Sequence, residues 1–168
     1  ALIIGIPAGI ISAKKQYSVV DNVSMVLSLI GVSMPNFWFG LLVVIVFALN
    51  LGWLPSQGMG EGGVELLKSL VLPALTLGTG CAATITRMTR SSMLEVIHQD
   101  YIDTAKAKGV SERTITFRHM LKNALIPIVT AVGLQFGTLL GGAMLTETVF
   151  SWPGLGRLMV DSIKSKDI

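Results

Sequence analysis

The sequence predicts an all-α protein built as a bundle of membrane-spanning helices. Only 14% of its 168 residues are charged, whereas a soluble domain carries about 25%. Apolar residues make up 51% of the chain and cluster in long stretches that alternate with polar ones. A low charge content, combined with apolar stretches close to the thickness of a bilayer, indicates that lipid surrounds most of these helices.

Four apolar stretches are predicted as spans of a single transmembrane domain that covers residues 1–168. Their approximate bounds are 1–13, 23–51, 64–88 and 124–145. The first is shorter than the roughly 20 residues that a span needs, so it is predicted as the end of a longer helix. Because the last residues, 161–168, are polar, the chain is predicted to be an internal fragment that lacks both ends. Pro35 has no amide donor and predicts a kink or break in the second span.

The basic residues predict how the helices are oriented. If the spans alternate in direction, the loop at Lys14-Lys15 and the polar stretch 87–123 lie on the same side. Together they hold nine of the thirteen Lys and Arg residues, and the loop 50–63 on the other side holds none. Because cytoplasmic loops are enriched in basic residues, segment 89–123 is predicted to be cytoplasmic, and loops 50–63 and 147–157 external.

Segment 89–123 is predicted to contain two helices separated by a glycine turn. One apolar face is formed by residues at helical spacing, namely Leu94, Ile97, Tyr101 and Ala105. Gly109 is predicted to end this helix in the left-handed conformation, and Ser111 to cap a second helix through about residue 121. Two interpretations fit this pattern: a helix that only anchors the protein at the membrane surface, and a short exposed element that docks into another protein.

The last predicted span carries glycine at every fourth position, at Gly133, Gly137 and Gly141. A stripe of small residues is typical of helices that pack closely in membranes, and helix packing is its predicted role. Gln135 and Thr138 lie in the same span, where polar side chains usually face the bundle or a water-filled cavity. These two residues are predicted to line a water-filled path through the bundle, with packing alone as the alternative.

Glu147 and the loop 150–156 are predicted to lie at the outer mouth of the bundle. Two roles are open for this region. Either it contacts another protein outside the membrane, or Trp152 anchors the loop at the membrane interface.

Several functional classes are disfavoured by the sequence. The spans contain no His, and the chain has no G-x-S-x-G, H-E-x-x-H or Walker A pattern, so neither catalysis nor ATP hydrolysis by this chain is predicted. Cys81 is the only cysteine, which excludes an internal disulfide and a CxxC metal site. No catalytic residue, metal ligand or nucleic-acid partner is predicted. A passive channel and an intramembrane enzyme are the alternatives from other classes.

The stretch Asp100–Gly109 reads Asp-Tyr-Ile-Asp-Thr-Ala-Lys-Ala-Lys-Gly. Its triplet of Asp103, Thr104 and Ala105, followed after three residues by Gly109, resembles the EAA loop of binding-protein-dependent ABC importer permeases. Asp and Thr replace the Glu and first Ala of the general motif. Flanking strings at 87–95, 123–127 and 147–156 are similar to the branch that carries dipeptides, oligopeptides and nickel.

This resemblance implies a type-1 ABC importer permease fold and an importer of di- or oligopeptides in the bacterial cytoplasmic (inner) membrane. In that family the EAA loop forms a coupling helix that sits in a groove of an ATPase subunit, which implies Asp103, Thr104, Ala105 and Gly109 as contact residues. The implied partners are a second permease subunit (identical or related), two ATPase subunits, an extracytoplasmic solute-binding protein and the lipid bilayer. ATP and Mg belong to the ATPase, so no cofactor is expected on this chain. Nickel or another small solute stays open as the substrate.

Overall fold

The computed structural model describes residues 1–165, leaving aside the side-chain surroundings of residues 140–142, 160, 161 and 165. Within this range every regular element is helical, which confirms the predicted all-α class. In chain order the helices are α1 (Leu2–Lys14), α2 (Val19–Ser33), α3 (Asn36–Val43), α4 (Gly63–Ile97), α5 (Asp100–Ala107), α6 (Glu112–Thr114), α7 (Lys122–Gly142), α8 (Met144–Val149) and α9 (Leu155–Ser165). A π-helical segment, Val44–Asn50, continues α3, and a second one, Ile115–Leu121, joins α6 to α7.

Two helical stretches in the described part of the chain are long and apolar enough to cross a bilayer, Gly63–Ile97 and Glu112–Leu139. A third is obtained if α2 and the stretch from Asn36 to Asn50 form one bent span. These stretches overlap the predicted spans 64–88, 124–145 and 23–51, and α1 is a shorter apolar helix. Their length and composition agree with a bundle of transmembrane helices.

The helices differ from the predicted segments at several boundaries. The break predicted at Pro35 is confirmed, since α2 ends at Ser33 and α3 begins at Asn36. In contrast, α4 runs on to Ile97, well past the predicted end at 88, because no Gly or Pro interrupts the chain between Gly80 and Gly109. The predicted external loop 147–157 also contains the end of α8 and the beginning of α9.

One compact unit consists of residues Ala1–Val32 and Cys81–Gln135. Its apolar core lies where α1, the last part of α4, α5, the second π-helical segment and the first part of α7 meet. The buried members are Ile10, Ala13, Met93, Ile102, Ala105, Ile115, Met120, Ala124 and Ile128. The helix of the predicted coupling segment, α5, is therefore part of this core.

Within this unit, α1 packs against α4 through two glycines four residues apart. A Cβ atom at Gly5 would lie 2.9 Å from the carbonyl oxygen of Ala82, and one at Gly9 would lie 2.5 Å from the Cβ atom of Thr89. Small residues at this spacing let two helix backbones approach closely in a membrane protein. The contact between α1 and α4 thus requires glycine at both positions.

The other compact unit consists of Ser33–Gly80 and the chain from Phe136 onward. Its core contains Val43, Leu72 and Phe150, with Phe47 among the side chains packed against it. The amide of Gly58 donates a hydrogen bond of 2.9 Å to the carbonyl oxygen of Phe150. The two loops predicted to be external, 50–63 and 147–157, are therefore in direct contact within this unit.

Candidate functional site

The candidate site is α5 with the turn that follows it. Gln99 has extended backbone angles (φ −85°, ψ 139°), which separate α5 from the end of α4. Asp100 and Asp103 lie in the first turn of α5 and Lys106 in its last turn. Acidic residues near the N-terminus and a basic residue near the C-terminus both interact favourably with the helix dipole, so the charges of this short helix support its formation.

One face of α5 is buried in the protein's own core. Ile102 is fully buried and Ala105 is 8% exposed. Both belong to the same apolar cluster as Met93 of α4 and Ile115. Ala105, which the sequence grouped with the residues that contact a partner, therefore seats the helix on the bundle, and the small side chain suits this close packing.

The opposite face of α5 is open to solvent. The side chain of Asp103 is 73% exposed and lies 3.2 Å from the ammonium group of Lys106. The hydroxyl of the exposed Thr104 donates to the carbonyl oxygen of Asp100 at 3.0 Å. Since an exposed ion pair contributes only about 0–1 kcal/mol, the contact between Asp103 and Lys106 adds little to the stability of α5.

Gly109 ends α5 in the left-handed conformation, as predicted, with φ at +74°. Its amide donates to the carbonyl oxygen of Lys106 at 2.9 Å, and the amide of Val110 donates to that of Ala105 at 3.2 Å. These two bonds form a Schellman motif, and Val110 completes it by packing against the apolar core. A Cβ atom at Gly109 would meet nothing within 4 Å, so backbone strain alone disfavours other residues there.

Ser111 begins the next helix, which also agrees with the sequence prediction. Its backbone is extended (φ −61°, ψ 142°), and its hydroxyl oxygen accepts a hydrogen bond from the amide of Thr114 at 3.4 Å. The helix that it caps does not stop near residue 121 but continues through the π-helical segment into α7. The turn after α5 is therefore joined directly to a helix that is long enough to span the membrane.

An ion pair beside this core was not predicted from the sequence. The guanidinium of Arg90 donates to both carboxylate oxygens of Asp21, at 2.6 and 2.7 Å. The hydroxyl of Ser12 donates to the same carboxylate, and the amide of Tyr17 does so at 2.9 Å. The sequence shows that Asp21 and Arg90 are charged, but it does not show that they pair. They are separated by 69 positions, and no local pattern links them.

The residues predicted to act in the last span lie on α7, away from α5 in the chain. Gln135 is half-buried, and Thr138 is exposed. A Cβ atom at Gly133 or at Gly137 would meet nothing within 4 Å, so neither glycine packs closely against a neighbour in the described part of the chain. The surroundings of Gly141 lie outside the described residues. The predicted path and the predicted packing stripe both stay predictions.

Glu147 forms an internal contact in the region predicted to lie at the outer mouth. Its carboxylate accepts a hydrogen bond of 2.9 Å from the amide of Arg157, in the first turn of α9. The same side chain lies directly against Gly154. Glu147, which lies outside α9, therefore caps the beginning of that helix. Trp152 is half-buried.

Comparisons of the sequence with known proteins identify the family of this chain. The family model described as the binding-protein-dependent transport system inner membrane component matches residues 5–168. The chain is 48% identical to the dipeptide transport system permease protein DppB of Alkalihalophilus pseudofirmus, with 99% of this chain and 57% of that protein covered. It is 46% identical to the oligopeptide transport system permease protein AppB of Bacillus subtilis, with 99% and 54% covered.

A third relative is the glutathione transport system permease protein GsiC of Escherichia coli, 47% identical with 99% of this chain and 53% of that protein covered. The chain spans about half the length of these curated relatives. The match to the family model covers nearly all of this chain, including α5 and its glycine turn. The chain therefore belongs to the family of binding-protein-dependent transport system inner membrane components.

Proposed function

We propose that this chain is part of the permease subunit of an ATP-driven importer that moves di- or oligopeptides across the bacterial cytoplasmic membrane. The names of the relatives, which transport dipeptides, oligopeptides and glutathione, support a peptide substrate. ATP and Mg are bound and used by two separate ATPase subunits. A second permease subunit completes the transmembrane path, and an extracytoplasmic solute-binding protein delivers the peptide.

The observation that carries the proposal is the division of α5 into a buried face and an exposed face. Ile102 and Ala105 fix the helix on the bundle, while Asp103 and Thr104 point to solvent. The Schellman turn at Gly109 closes the helix after two turns, so it forms a short, rigid projection. Such a projection fits a groove on another protein better than a helix that lies flat on lipid, whose apolar side would face the membrane.

In this mechanism the ATPase moves α5 as ATP binds and is hydrolysed. The ATPase dimer has two states with different affinity for ATP, and α5 follows the change between them. Because α5 shares a core with α1, α4 and α7, the bundle moves with it as rigid helices rather than by local unfolding. The result is a switch of the peptide path between outward and inward access.

The experiment replaces the turn glycine in the full-length permease, in cells that also make its partner subunits. Gly109→Val places a β-branched residue at φ +74°, so we expect the turn to rearrange and the exposed face of α5 to lose its position. Uptake of a labelled dipeptide should fall at least tenfold, while the amount of permease in the membrane stays unchanged. ATP hydrolysis by the complex should continue without driving uptake.

Gly52→Val is the matched control, because Gly52 also has a positive φ of +63° and open space around its Cβ position. It lies in the loop 50–63 and should leave coupling intact. Gly109→Asn should retain most of the uptake, since Asn tolerates the left-handed conformation. Normal uptake in Gly109→Val, or an equal loss in Gly52→Val, would contradict the coupling role of α5. Uptake of labelled nickel in place of dipeptide would contradict the peptide substrate.

A further inference from the structure

A basic cavity that is widely open to the surface lies beside the second π-helical segment. It has a volume of ≈ 380 Å³ and is lined by Arg113, Thr114, Phe117 and Arg118. None of these residues belongs to the exposed face of α5. The cavity is therefore a separate feature of the same compact unit.

The two arginines at the cavity are five positions apart, with Arg113 in α6 and Arg118 in the π-helical segment. In an α-helix, residues three or four apart are neighbours, and residues five apart point in different directions. A π-helix bonds each residue to the fifth one along, which widens the turn. The segment Ile115–Leu121 has this geometry and contains Arg118, while Arg113 lies two residues before it, and both arginines line the same cavity.

Neither guanidinium has an ion partner among the residues that the structure describes. The nearest acidic neighbour in sequence, Glu112, lies 3.7 Å from the ammonium group of Lys14 instead. The hydroxyl of Thr114 is within hydrogen-bond distance of the hydroxyl of Ser111, at 2.9 Å. Two unpaired guanidinium groups at one cavity favour an anion, and planar guanidinium donors suit the oxygens of a phosphate.

The position along the helix indicates where this phosphate comes from. The stretch Glu112–Leu139 has 28 residues, which extend about 42 Å at 1.5 Å per residue. A bilayer including its headgroups is about 40–45 Å thick. The first turns of this stretch therefore lie at the level of the lipid headgroups. Phe117 is 56% exposed between the two arginines, which suits contact with the apolar part of a lipid.

We propose that Arg113 and Arg118 bind the phosphate of an anionic phospholipid headgroup, with Phe117 packed against the glycerol and upper acyl region of the same lipid. Thr114 contributes its hydroxyl to the rim of the cavity. The proposal requires that Glu112–Leu139 spans the membrane, but it does not depend on peptide import or on docking of an ATPase. Its failure and the failure of the proposed function are therefore distinguishable.

The test uses the full-length permease solubilised in a neutral detergent. Three probes are titrated: short-chain phosphatidylglycerol, short-chain phosphatidylcholine and inorganic phosphate. Binding is followed by the thermal stability of the protein and by native mass spectrometry. We expect phosphatidylglycerol to bind, and the apparent affinity to fall about fivefold in Arg113→Gln and in Arg118→Gln, as befits the loss of one basic residue near an anionic headgroup.

Lys122→Gln is the matched control, because Lys122 is an exposed basic residue of the same helical stretch that does not line the cavity. It should leave the affinity unchanged. Equal binding of phosphatidylcholine, or an equal loss in Lys122→Gln, would overturn the proposal in favour of unspecific attraction. Binding of inorganic phosphate as tight as that of phosphatidylglycerol would assign the cavity to a free anion. Unchanged lipid binding with loss of a co-purifying ATPase would assign the arginines to a protein partner and overturn the lipid site.

Discussion

The carboxylate of Asp21 and the guanidinium of Arg90 form a two-point ion pair, with donor–acceptor distances of 2.6 and 2.7 Å. The side chain of Asp21 is only 1% exposed. Ser12 and the amide of Tyr17 supply further hydrogen bonds, so the buried carboxylate is surrounded by donors. A buried carboxylate with this many partners is compatible with a stable fold. Burying the Asp21 carboxylate or the Arg90 guanidinium without the other would lower the free energy of unfolding.

We therefore expect Asp21→Asn to destabilise the full-length permease strongly, because it leaves the Arg90 guanidinium without its counter-charge. Removing one partner of a buried pair costs about 3 to 5 kcal/mol. Thermal unfolding in detergent, followed by tryptophan fluorescence, measures the effect. Arg90→Gln in the Asp21→Asn background should restore part of the loss, since the two residues are in contact.

Lys106→Gln serves as the control for this pair. It breaks the exposed contact with Asp103, which is 3.2 Å long, and should cost less than about 1 kcal/mol. If Asp21→Asn lowered the melting temperature no more than Lys106→Gln does, the buried pair would not stabilise this part of the fold.

The glycine contact between α1 and α4 gives a second prediction. Gly9→Ala would place a methyl group 2.5 Å from the Cβ atom of Thr89 and 2.7 Å from the carbonyl oxygen of Thr86. Because backbone atoms cannot move aside, we expect a loss of about 1 to 3 kcal/mol from overpacking. The melting temperature of the purified permease and the amount of it in the membrane both report this loss.

Gly133→Ala is the matched substitution on α7, where a Cβ atom meets nothing within 4 Å. Here alanine should leave the stability of the isolated permease unchanged or raise it by up to about 1 kcal/mol, through its higher helix propensity. A large destabilisation of the isolated permease by Gly133→Ala, or none by Gly9→Ala, would contradict the packing described for these glycines.

The predicted path along α7 is tested by polar-to-apolar substitutions that preserve shape. Thr138→Val and Gln135→Leu each remove hydrogen-bonding groups, and we expect uptake of a labelled dipeptide to fall about two- to tenfold, the worth of one hydrogen bond. Thr130→Val is the control on the same helix, because it makes the same substitution at a position that is not predicted to line the path. Equal uptake by all three variants would contradict a path along Gln135 and Thr138, and helix packing would then be the role of α7.

Local chemistry in the sequence was sufficient for some elements. Pro35 predicted the break between α2 and α3, and Gly109 and Ser111 predicted the left-handed end of α5 and the start of the next helix. These signals depend on one residue and its nearest hydrogen-bond partners, so they are readable without the fold.

Other features depend on contacts between distant parts of the chain. Gly5 and Gly9 have the same small-residue spacing as Gly133 and Gly137, so the sequence does not separate the two pairs. Only the structure shows that the first pair lies in a close contact and the second faces open space. The periodic apolar face from Leu94 to Ala105 also concealed the break at Gln99, because the pattern continues on both sides of it.

The burial of Ile102 and Ala105 has a mechanical consequence. Sliding α5 away from α1, α4 and α7 would open a void in their shared core, and voids left by large-to-small substitution cost about 2 to 5 kcal/mol. We therefore expect a displacement of α5 to move α1, α4 and α7 together with it. A substitution that creates a cavity in this core next to Ile102 would let α5 shift without moving α1, α4 and α7.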